Sequence, residues 1–167
     1  MPSETARPAP STILVGVISD THGLLRTEAV KALGSCARIL HAGDVGSPRI
    51  LEELGRIAPV TVVRGNNDVG AWAAHLPGVV RVTIGAVRFV IIHDLRHLTD
   101  ADVGPGVGVV VSGHSHQPRI ESRGGVLYVN PGSAGPRRFR FPVTLARLTI
   151  ESGTVKAELV EVVQQPR

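Results

Sequence analysis

Cysteine and aromatic residues are scarce in this chain of 167 residues. The single cysteine, Cys36, cannot form an internal disulfide, which is typical of a reducing compartment and leads us to expect a cytoplasmic protein. Aromatic residues make up 3% of the chain, whereas hydrophobic residues as a whole make up 43%. The core must therefore consist largely of valine, isoleucine, leucine and alanine.

Long apolar runs are also missing. The longest ones, such as residues 89–92 and 107–111, have the length of strands and are too short to cross a bilayer. The N-terminus lacks a basic segment followed by an apolar stretch, so it does not resemble a secretory signal. We therefore expect no contact with a membrane.

Basic residues outnumber acidic ones by 18 to 14, and only Lys31 and Lys156 among them are lysines. The planar guanidinium of arginine suits phosphate oxygens, although a solvated surface explains most of these arginines equally well. No nucleic-acid recognition motif is visible, and no basic stripe interleaved with aromatic residues stands out. This argues against nucleic acid as a partner.

The pattern of apolar segments predicts a flexible tail over residues 1–11, which contain three prolines, and a single domain over residues 12–163. The first half alternates predicted strands at 13–19, 38–41 and 60–64 with predicted helices at 27–33 and 48–57. Further strands are predicted at 79–84, 87–92, 107–111, 126–129, 143–150 and 155–162. The predicted fold is α/β, with two packed mixed β-sheets that form a β-sandwich flanked by helices.

Five groups of polar residues lie just past the C-terminal ends of predicted strands. They are Asp20-Thr21-His22, Gly43-Asp44, Gly65-Asn66-Asn67-Asp68, His93-Asp94 and Gly113-His114-Ser115-His116. Taken singly, each acid or amide could be a helix cap or turn residue, and each histidine could be satisfied locally. At one edge of an α/β sheet, where ligands commonly bind, these side chains would repel and lose solvation without a cation. The pattern therefore predicts a metal site.

In this order, the five groups resemble the calcineurin-like metallophosphoesterase superfamily, and most closely its small bacterial and archaeal phosphodiesterase branch. The sequence Asn130-Pro131-Gly132-Ser133, followed by Arg137-Arg138, is similar to that branch as well. The resemblance implies the metallophosphoesterase fold and a binuclear metal centre. Carried over position by position, it places Asp20, His22 and His116 on one metal, Asn66, His93 and His114 on the other, and Asp44 between both.

Two divalent ions are the implied cofactors, with Mn²⁺ as the first choice and Fe, Zn²⁺ or Ni²⁺ as alternatives. Two cations about 3.5–4 Å apart can share one water and lower its pKa towards neutrality. The resulting bridging hydroxide would attack phosphorus, with Asp44 and Asn66 among the catalytic residues. Asp68 would either orient a neighbouring group or cap a turn.

Two positions depart from the family pattern. Asn67 stands where many members carry the histidine that is thought to protonate the leaving group, and asparagine cannot do so near neutral pH. His75 and His97 are best explained as surface residues, and the alternative hypothesis is that one of them replaces that acid. Asp94 follows the metal-binding His93 where members commonly carry glycine, and it is either an extra ligand or a residue that narrows the site.

The resulting hypothesis is a metal-dependent phosphodiesterase that acts on a small phosphate ester. A phosphomonoesterase on the same site is one alternative. The other is a non-catalytic protein-binding scaffold, because the family includes a retromer subunit that keeps the fold without the metal-site histidines. The sequence does not determine the oligomeric state, although the branch that it resembles often forms homo-oligomers, as dimers or tetramers.

Overall fold

The computed structural model describes residues 11–163, which form ten strands, three α-helices and one short 3₁₀ helix. In chain order the strands are β1 Thr12–Ile18, β2 Arg38–His41, β3 Val60–Val62, β4 Val79–Ile84, β5 Val87–Ile92, β6 Val109–Val111, β7 Arg119–Arg123, β8 Val126–Asn130, β9 Val143–Glu151 and β10 Thr154–Val163. The helices are α1 Thr27–Leu33, α2 Pro48–Gly55 and α3 Asp100–Val103, and the 3₁₀ helix is Leu95–His97.

The strands form two five-stranded mixed sheets, with the orders β10-β9-β1-β2-β3 and β4-β5-β6-β8-β7. Strands β1, β2 and β3 are mutually parallel, as are β5, β6 and β8. Parallel strands present their C-terminal ends at the same edge, so the loops that follow them meet there. This topology gathers the polar groups predicted from the sequence.

Alternating residues of β1 line two separate cores. Val15 and Val17 are fully buried in the core between the sheets, where Phe89 of β5 also packs. Ile18 lies in the second core, against Leu33 of α1. Because both faces of the strand are covered, its sequence reads as a continuous apolar run.

Helix α2 shows how local sequence sets an element and its packing. The Ser47 hydroxyl accepts a hydrogen bond from the backbone N–H of Arg49 at 3.3 Å, and Pro48 occupies the first turn. One turn apart on the same face, Ile50 and Leu54 are buried in the second core.

The predicted fold of two mixed sheets with outer helices is confirmed, but several elements differ in detail. The fourth strand of the second sheet, β8, has an antiparallel edge partner that the prediction lacked, β7. Three of the five residues of β7 are charged, which suits a sheet edge and hides the apolar alternation. The predicted strand at 107–111 is shorter, Val109–Val111, and the helix predicted to residue 57 ends at Gly55.

The predicted tail, apart from Ser11, lies outside the described residues, and the bounds 12–163 of the domain stay a prediction. Within the described part of the chain, no helix has the length and apolarity needed to span a membrane.

We expect Gly16→Ala to destabilise the protein, because α1 packs directly on the backbone of β1. An added Cβ would collide with Leu33 and lie 3.1 Å from the Cys36 sulfur, and both neighbours are buried. Overpacking of this kind costs about 1–3 kcal/mol. Gly55→Ala is the matched control, since its Cβ would meet open space at the end of α2. Urea unfolding would show a lower midpoint for Gly16→Ala alone; equal midpoints would contradict this packing.

Candidate metal centre

Backbone hydrogen bonds join the loops that carry the predicted ligands. The N–H of Asp20 donates to the carbonyl of Gly43 at 3.0 Å, and that of His22 to Asp44 at 2.9 Å. From the second sheet, the N–H of His114 donates to the Asp20 carboxylate at 3.1 Å. The two sheets therefore meet at one site, where a backbone N–H from one sheet contacts a carboxylate from the other.

Asp20, His22 and His116 form one cluster of ligand atoms. The Nε2 atoms of the two histidines lie 3.3 Å apart. From Asp20 Oδ1, His116 Nε2 lies at 3.3 Å and His22 Nε2 at 3.8 Å. All three donors can thus reach a single ion, as the sequence predicted for the first metal.

Asn66, His93 and His114 form a second cluster beside the first. The Asn66 side-chain oxygen lies 3.0 Å from His93 Nε2 and 3.1 Å from His114 Nδ1. The same two ring nitrogens are 3.3 Å apart. These are the three residues that the sequence predicted for the second metal.

Asp44 lies between the two clusters. Its Oδ2 is 3.8 Å from His22 Nε2 in the first and 3.3 Å from His93 Nε2 in the second. Asn67 holds this carboxylate in place, because its backbone N–H donates to Oδ1 at 2.8 Å and its side-chain amide to Oδ2 at 2.9 Å. The side-chain amide of Asn67, which stands where many family members carry histidine, therefore hydrogen-bonds to Asp44.

The donor set fits divalent metal ions. Asp20 is completely buried, and its Oδ1 has no hydrogen-bond partner among the described residues. A buried carboxylate oxygen without a partner is costly, and here it faces imidazole nitrogens that also accept metals. Carboxylate, amide and imidazole donors without a thiolate match Mn²⁺, Fe, Ni²⁺ or a catalytic Zn²⁺.

Both carboxylates of the centre are held in their charged form. Burial raises the pKa of Asp20, but the facing His116 ring and the hydrogen bond from the Ser19 hydroxyl outweigh it, so the pKa lies below its usual value. Burial also raises the pKa of Asp44, and the contact with His93 contributes most to the opposite effect, which leaves the pKa well below normal. Charged carboxylates are the form that binds a cation.

The histidines respond to the same charges in opposite ways. Burial lowers the pKa of His22 more than the nearby Asp44 and Asp20 raise it. For His93, burial also lowers the pKa, but Asp44 and Asp20 together raise it by more than burial lowers it, so the pKa lies above its usual value. Without a metal ion, a proton on His93 therefore offsets the negative charge of the Asp44 and Asp20 carboxylates, which a bound metal ion would otherwise offset.

Backbone strain is concentrated at this centre. A positive φ is uncommon for non-glycine residues and often marks a functional site. Among the described residues seven adopt it, and five of these are predicted ligands: Asp20, His22, Asp44, His114 and His116. The other two are Phe139 and Ser152.

Glycines let the ligand loops approach closely. A Cβ on Gly65 would collide with the backbone and side chain of Asp44, and one on Gly113 would lie 2.6 Å from Asp20 Oδ2. Larger residues at these positions would push the carboxylates out of the centre.

Asp68 lies behind the ligands rather than among them. Its two oxygens accept hydrogen bonds from the backbone N–H groups of Gly46 and Gly65, each at 2.9 Å. It joins the loop after β2 to the loop after β3, which is a positioning contact. The catalytic role predicted for Asp68 stays a prediction.

Sequence reasoning missed the role of Asn130. Its amide nitrogen donates to the Gly113 carbonyl at 3.0 Å and to the Ser115 hydroxyl at 3.1 Å, so it supports the loop that carries His114 and His116. The turn Asn130-Pro131-Gly132-Ser133 was noted as a family feature, but the spacing of the sequence does not show which loop Asn130 contacts.

Asp94 and Arg96 border the second cluster. Arg96 donates to both Asp94 oxygens, at 3.1 Å and 2.7 Å, and its Nη2 lies 3.2 Å from His114 Nε2. Asp94 Oδ2 is 3.6 Å from the same ring nitrogen. Two roles were left open for Asp94: an extra metal ligand, or a residue that narrows the metal site. Its contacts favour the second role, because Asp94 holds the Arg96 side chain at the edge of the second cluster.

Another residue missed as part of the site is Phe139, whose ring centroid lies 6.4 Å from that of His116. Residues 138–141 alternate arginine with phenylalanine, and this pattern was the available signal, although four residues are too few to stand out as a basic stripe.

Two mixed sheets with paired carboxylate and histidine clusters at their shared edge define a metallophosphoesterase-type centre. The family model described as "Calcineurin-like phosphoesterase superfamily domain" matches residues 13–153. The chain belongs to this superfamily of metal-dependent phosphoesterases.

Individual relatives agree with this assignment. A "Probable metallophosphoesterase" from Methanothermobacter thermautotrophicus is 34% identical over 160 residues, which cover 89% of this chain and 92% of the relative. A structure described as a novel archaeal phosphodiesterase has a TM-score of 0.74 at 23% identity, covering 89% of this chain and all of that one. Vps29 of Entamoeba histolytica in complex with zinc has a TM-score of 0.67 at 23% identity, with 90% and 100% covered. The two structures show the shared fold.

His41 connects the metal loops through a chain of hydrogen bonds. The Gly43 N–H donates to His41 Nδ1 at 3.1 Å, so Nε2 carries the proton that reaches the Thr21 hydroxyl at 3.0 Å. Thr21 in turn donates to the Val45 carbonyl at 2.9 Å. This chain requires a neutral ring, and complete burial lowers the pKa of His41 to about 4.

We therefore expect the metal-free protein to lose stability as the pH falls from 6.5 to about 4. The unfolded imidazole binds a proton below its ordinary pKa of 6.5, whereas the folded ring resists it down to about 4. Acidification across this window favours unfolding by on the order of 3 kcal/mol. Urea unfolding from pH 7.5 to 4.5 should show a flatter pH dependence for His41→Gln than for the wild type. His97→Gln, at an exposed histidine, should leave the slope unchanged; an unchanged slope in His41→Gln would refute the assignment.

Proposed function

We propose that the protein is a phosphodiesterase that uses two divalent metal ions held by the two ligand clusters. The observation that carries the proposal is the position of Asp44, whose Oδ2 lies within 3.8 Å of a histidine nitrogen from each cluster. Such a carboxylate suits a bridge between two ions.

Asp20, His22 and His116 would hold one ion, Asn66, His93 and His114 the other, and Asp44 would contact both; when bound, the ions would supply Lewis-acid activation of a water for attack on phosphorus. The chain's own part is to hold the geometry. Asn67 orients Asp44, and Asn130 supports the loop of His114 and His116. Precise positioning of this kind accounts for much of the rate gain in phosphoryl transfer.

Mn²⁺ is the first choice of metal, with Fe, Zn²⁺ and Ni²⁺ as alternatives. Oxygen ligands from Asp20, Asp44 and Asn66 favour harder ions, whereas the four histidines also suit zinc. The Vps29 relative in complex with zinc supports a divalent ion in this fold.

Diesters are favoured over monoesters for two reasons. An archaeal phosphodiesterase shares the fold. In addition, a cavity of about 300 Å³, lined in part by Asn66, His93, Arg64 and His97, adjoins the second cluster and leaves room for a substituent on phosphorus. A comparison of bis-p-nitrophenyl phosphate with p-nitrophenyl phosphate would decide between diesterase and monoesterase.

A protein-binding scaffold is the second candidate, and the resemblance in fold to Vps29 favours it. All seven predicted ligand positions carry metal-binding side chains in this chain, which favours the enzyme. Metal uptake and turnover distinguish the two functions.

Asp44→Asn should abolish hydrolysis of bis-p-nitrophenyl phosphate and lower the metal content below two ions per chain. Loss of residues that merely support metal ligands costs 10–100-fold, so loss of the bridging carboxylate should cost at least about 100-fold. Asp100→Asn, at an exposed position of α3, is the matched control and should behave as wild type. Metal analysis beside the assay provides the readout. Full activity in Asp44→Asn, or no metal uptake by the wild type, would contradict the proposal.

The leaving group should strongly affect the rate, because the Asn67 amide cannot donate a proton. Of the two histidines considered as substitutes, His97 lines the cavity beside Asn66 and His93, and His75 does not. If His97 protonates the leaving group, His97→Gln should lower kcat for a phenyl diester by about 100-fold and leave a p-nitrophenyl diester nearly unchanged. His75→Gln is the control. Equal effects on both substrates would exclude His97 as the acid.

A further inference from the structure

An exposed aromatic ring stands at the edge of the metal centre. Phe139, in the loop between β8 and β9, is 78% exposed, the highest value among the large hydrophobic side chains of the described region. Single exposed apolar residues are common and need no function. Phe139 differs because its ring lies edge-to-face against His116, a predicted metal ligand, with 6.4 Å between centroids.

The backbone holds this ring in an unfavourable conformation. Phe139 has a φ of 57°, which is a genuine outlier for a bulky residue. A second phenylalanine, Phe141, packs edge-to-face against it with centroids 6.0 Å apart and is itself partly buried. The ring is thus supported from one side while most of its surface stays open.

Positive charge surrounds the same ring. Arg137, Arg138 and Arg140 flank Phe139 and are exposed. The ion pairs between arginine and acidic side chains within residues 11–163 involve other arginines. Because Phe139 contacts His116, the loop presents these cations on the same side as the first metal cluster.

We infer that Phe139 is a stacking surface for the nucleobase of the substrate, so that the diesters hydrolysed are nucleoside phosphodiesters. The inference rests on the proposed function, because it places the scissile phosphate at the metal centre. Aromatic side chains bind bases by stacking, and adjacent arginines contact phosphate oxygens. The exposed ring would bind the base, and the arginines beside it, which form no ion pair within residues 11–163, would contact the phosphate.

If Phe139 stacks on a base, its removal should slow hydrolysis of a nucleoside diester but not of a simple diester with the same leaving group. Thymidine 5′-(p-nitrophenyl phosphate) and methyl p-nitrophenyl phosphate differ in the nucleoside alone. Stacking contributes about 1–3 kcal/mol per base, so Phe139→Ala should lower kcat/KM for the thymidine ester by about 5- to 140-fold. The methyl ester should be hydrolysed as by the wild type, which shows that the metal centre is intact.

Two further variants test whether the ring itself matters. Phe139→Tyr keeps an aromatic face and should retain the preference for the thymidine ester. Leu159→Ala removes another exposed apolar side chain, on β10, and should change neither substrate. An equal loss on both esters, or no loss on either, would overturn the inference. A change of oligomeric state in Phe139→Ala, seen by light scattering, together with such an equal loss would assign the ring to a subunit contact instead.

Binding provides a readout that does not require turnover. Calorimetry with the metal-loaded wild type should give tighter binding of thymidine 5′-monophosphate than of ribose 5-phosphate, and Phe139→Ala should remove the difference. Equal affinities in the wild type would overturn the inference, even if neither ester were hydrolysed. Failure to hydrolyse either ester would separately refute the proposed function.

A short oligothymidylate, added as a third ligand, identifies the kind of nucleotide ligand. A further gain in affinity indicates single-stranded nucleic acid, and no gain indicates small nucleotides.

Discussion

Asp20 and Asp44 bury negative charge at the edge where the two sheets meet, and the rest of the centre is arranged around that charge. Both carboxylates are almost inaccessible to solvent. Charge without solvent must be offset by hydrogen bonds or cations. Ser19 and Asn67 donate hydrogen bonds to these carboxylates. The positive charge would come from the facing imidazoles and from the metal ions that they can hold.

The fold meets this constraint through stiff strands that end in strained loops. Parallel strands in both sheets deliver the ligands to one edge, and positive φ values turn Asp20, Asp44 and His114 inward. Such conformations persist only where the surroundings fix them. Asp68, His41 and Asn130 provide that fixation through hydrogen bonds to the loop backbone. The metal residues and their supports therefore form one network.

The clustering of the predicted ligands could be expected from the sequence, because each of the five polar groups follows a predicted strand. That these residues bind metal stays a prediction, and the positive φ values of Asp20 and His114 could not be predicted from the spacing. The two-sheet architecture followed from the number of predicted strands, which is too large for one sheet to bury. Edge strand β7 was missed because its charged residues mask the period of two. Asn67 and Phe139 contact the centre across more than 20 residues of sequence, Asn67 through Asp44 and Phe139 through His116. Local patterns do not contain such contacts.

The central claim is a binuclear centre with Asp44 between the ions. Anomalous diffraction from crystals grown with Mn²⁺, recorded at the manganese edge, tests it most directly. The account predicts two peaks about 3.5–4 Å apart, one beside Asp20, His22 and His116 and the other beside Asn66, His93 and His114, with Asp44 contacting both. A single peak, or peaks that Asp44 does not contact, would contradict it.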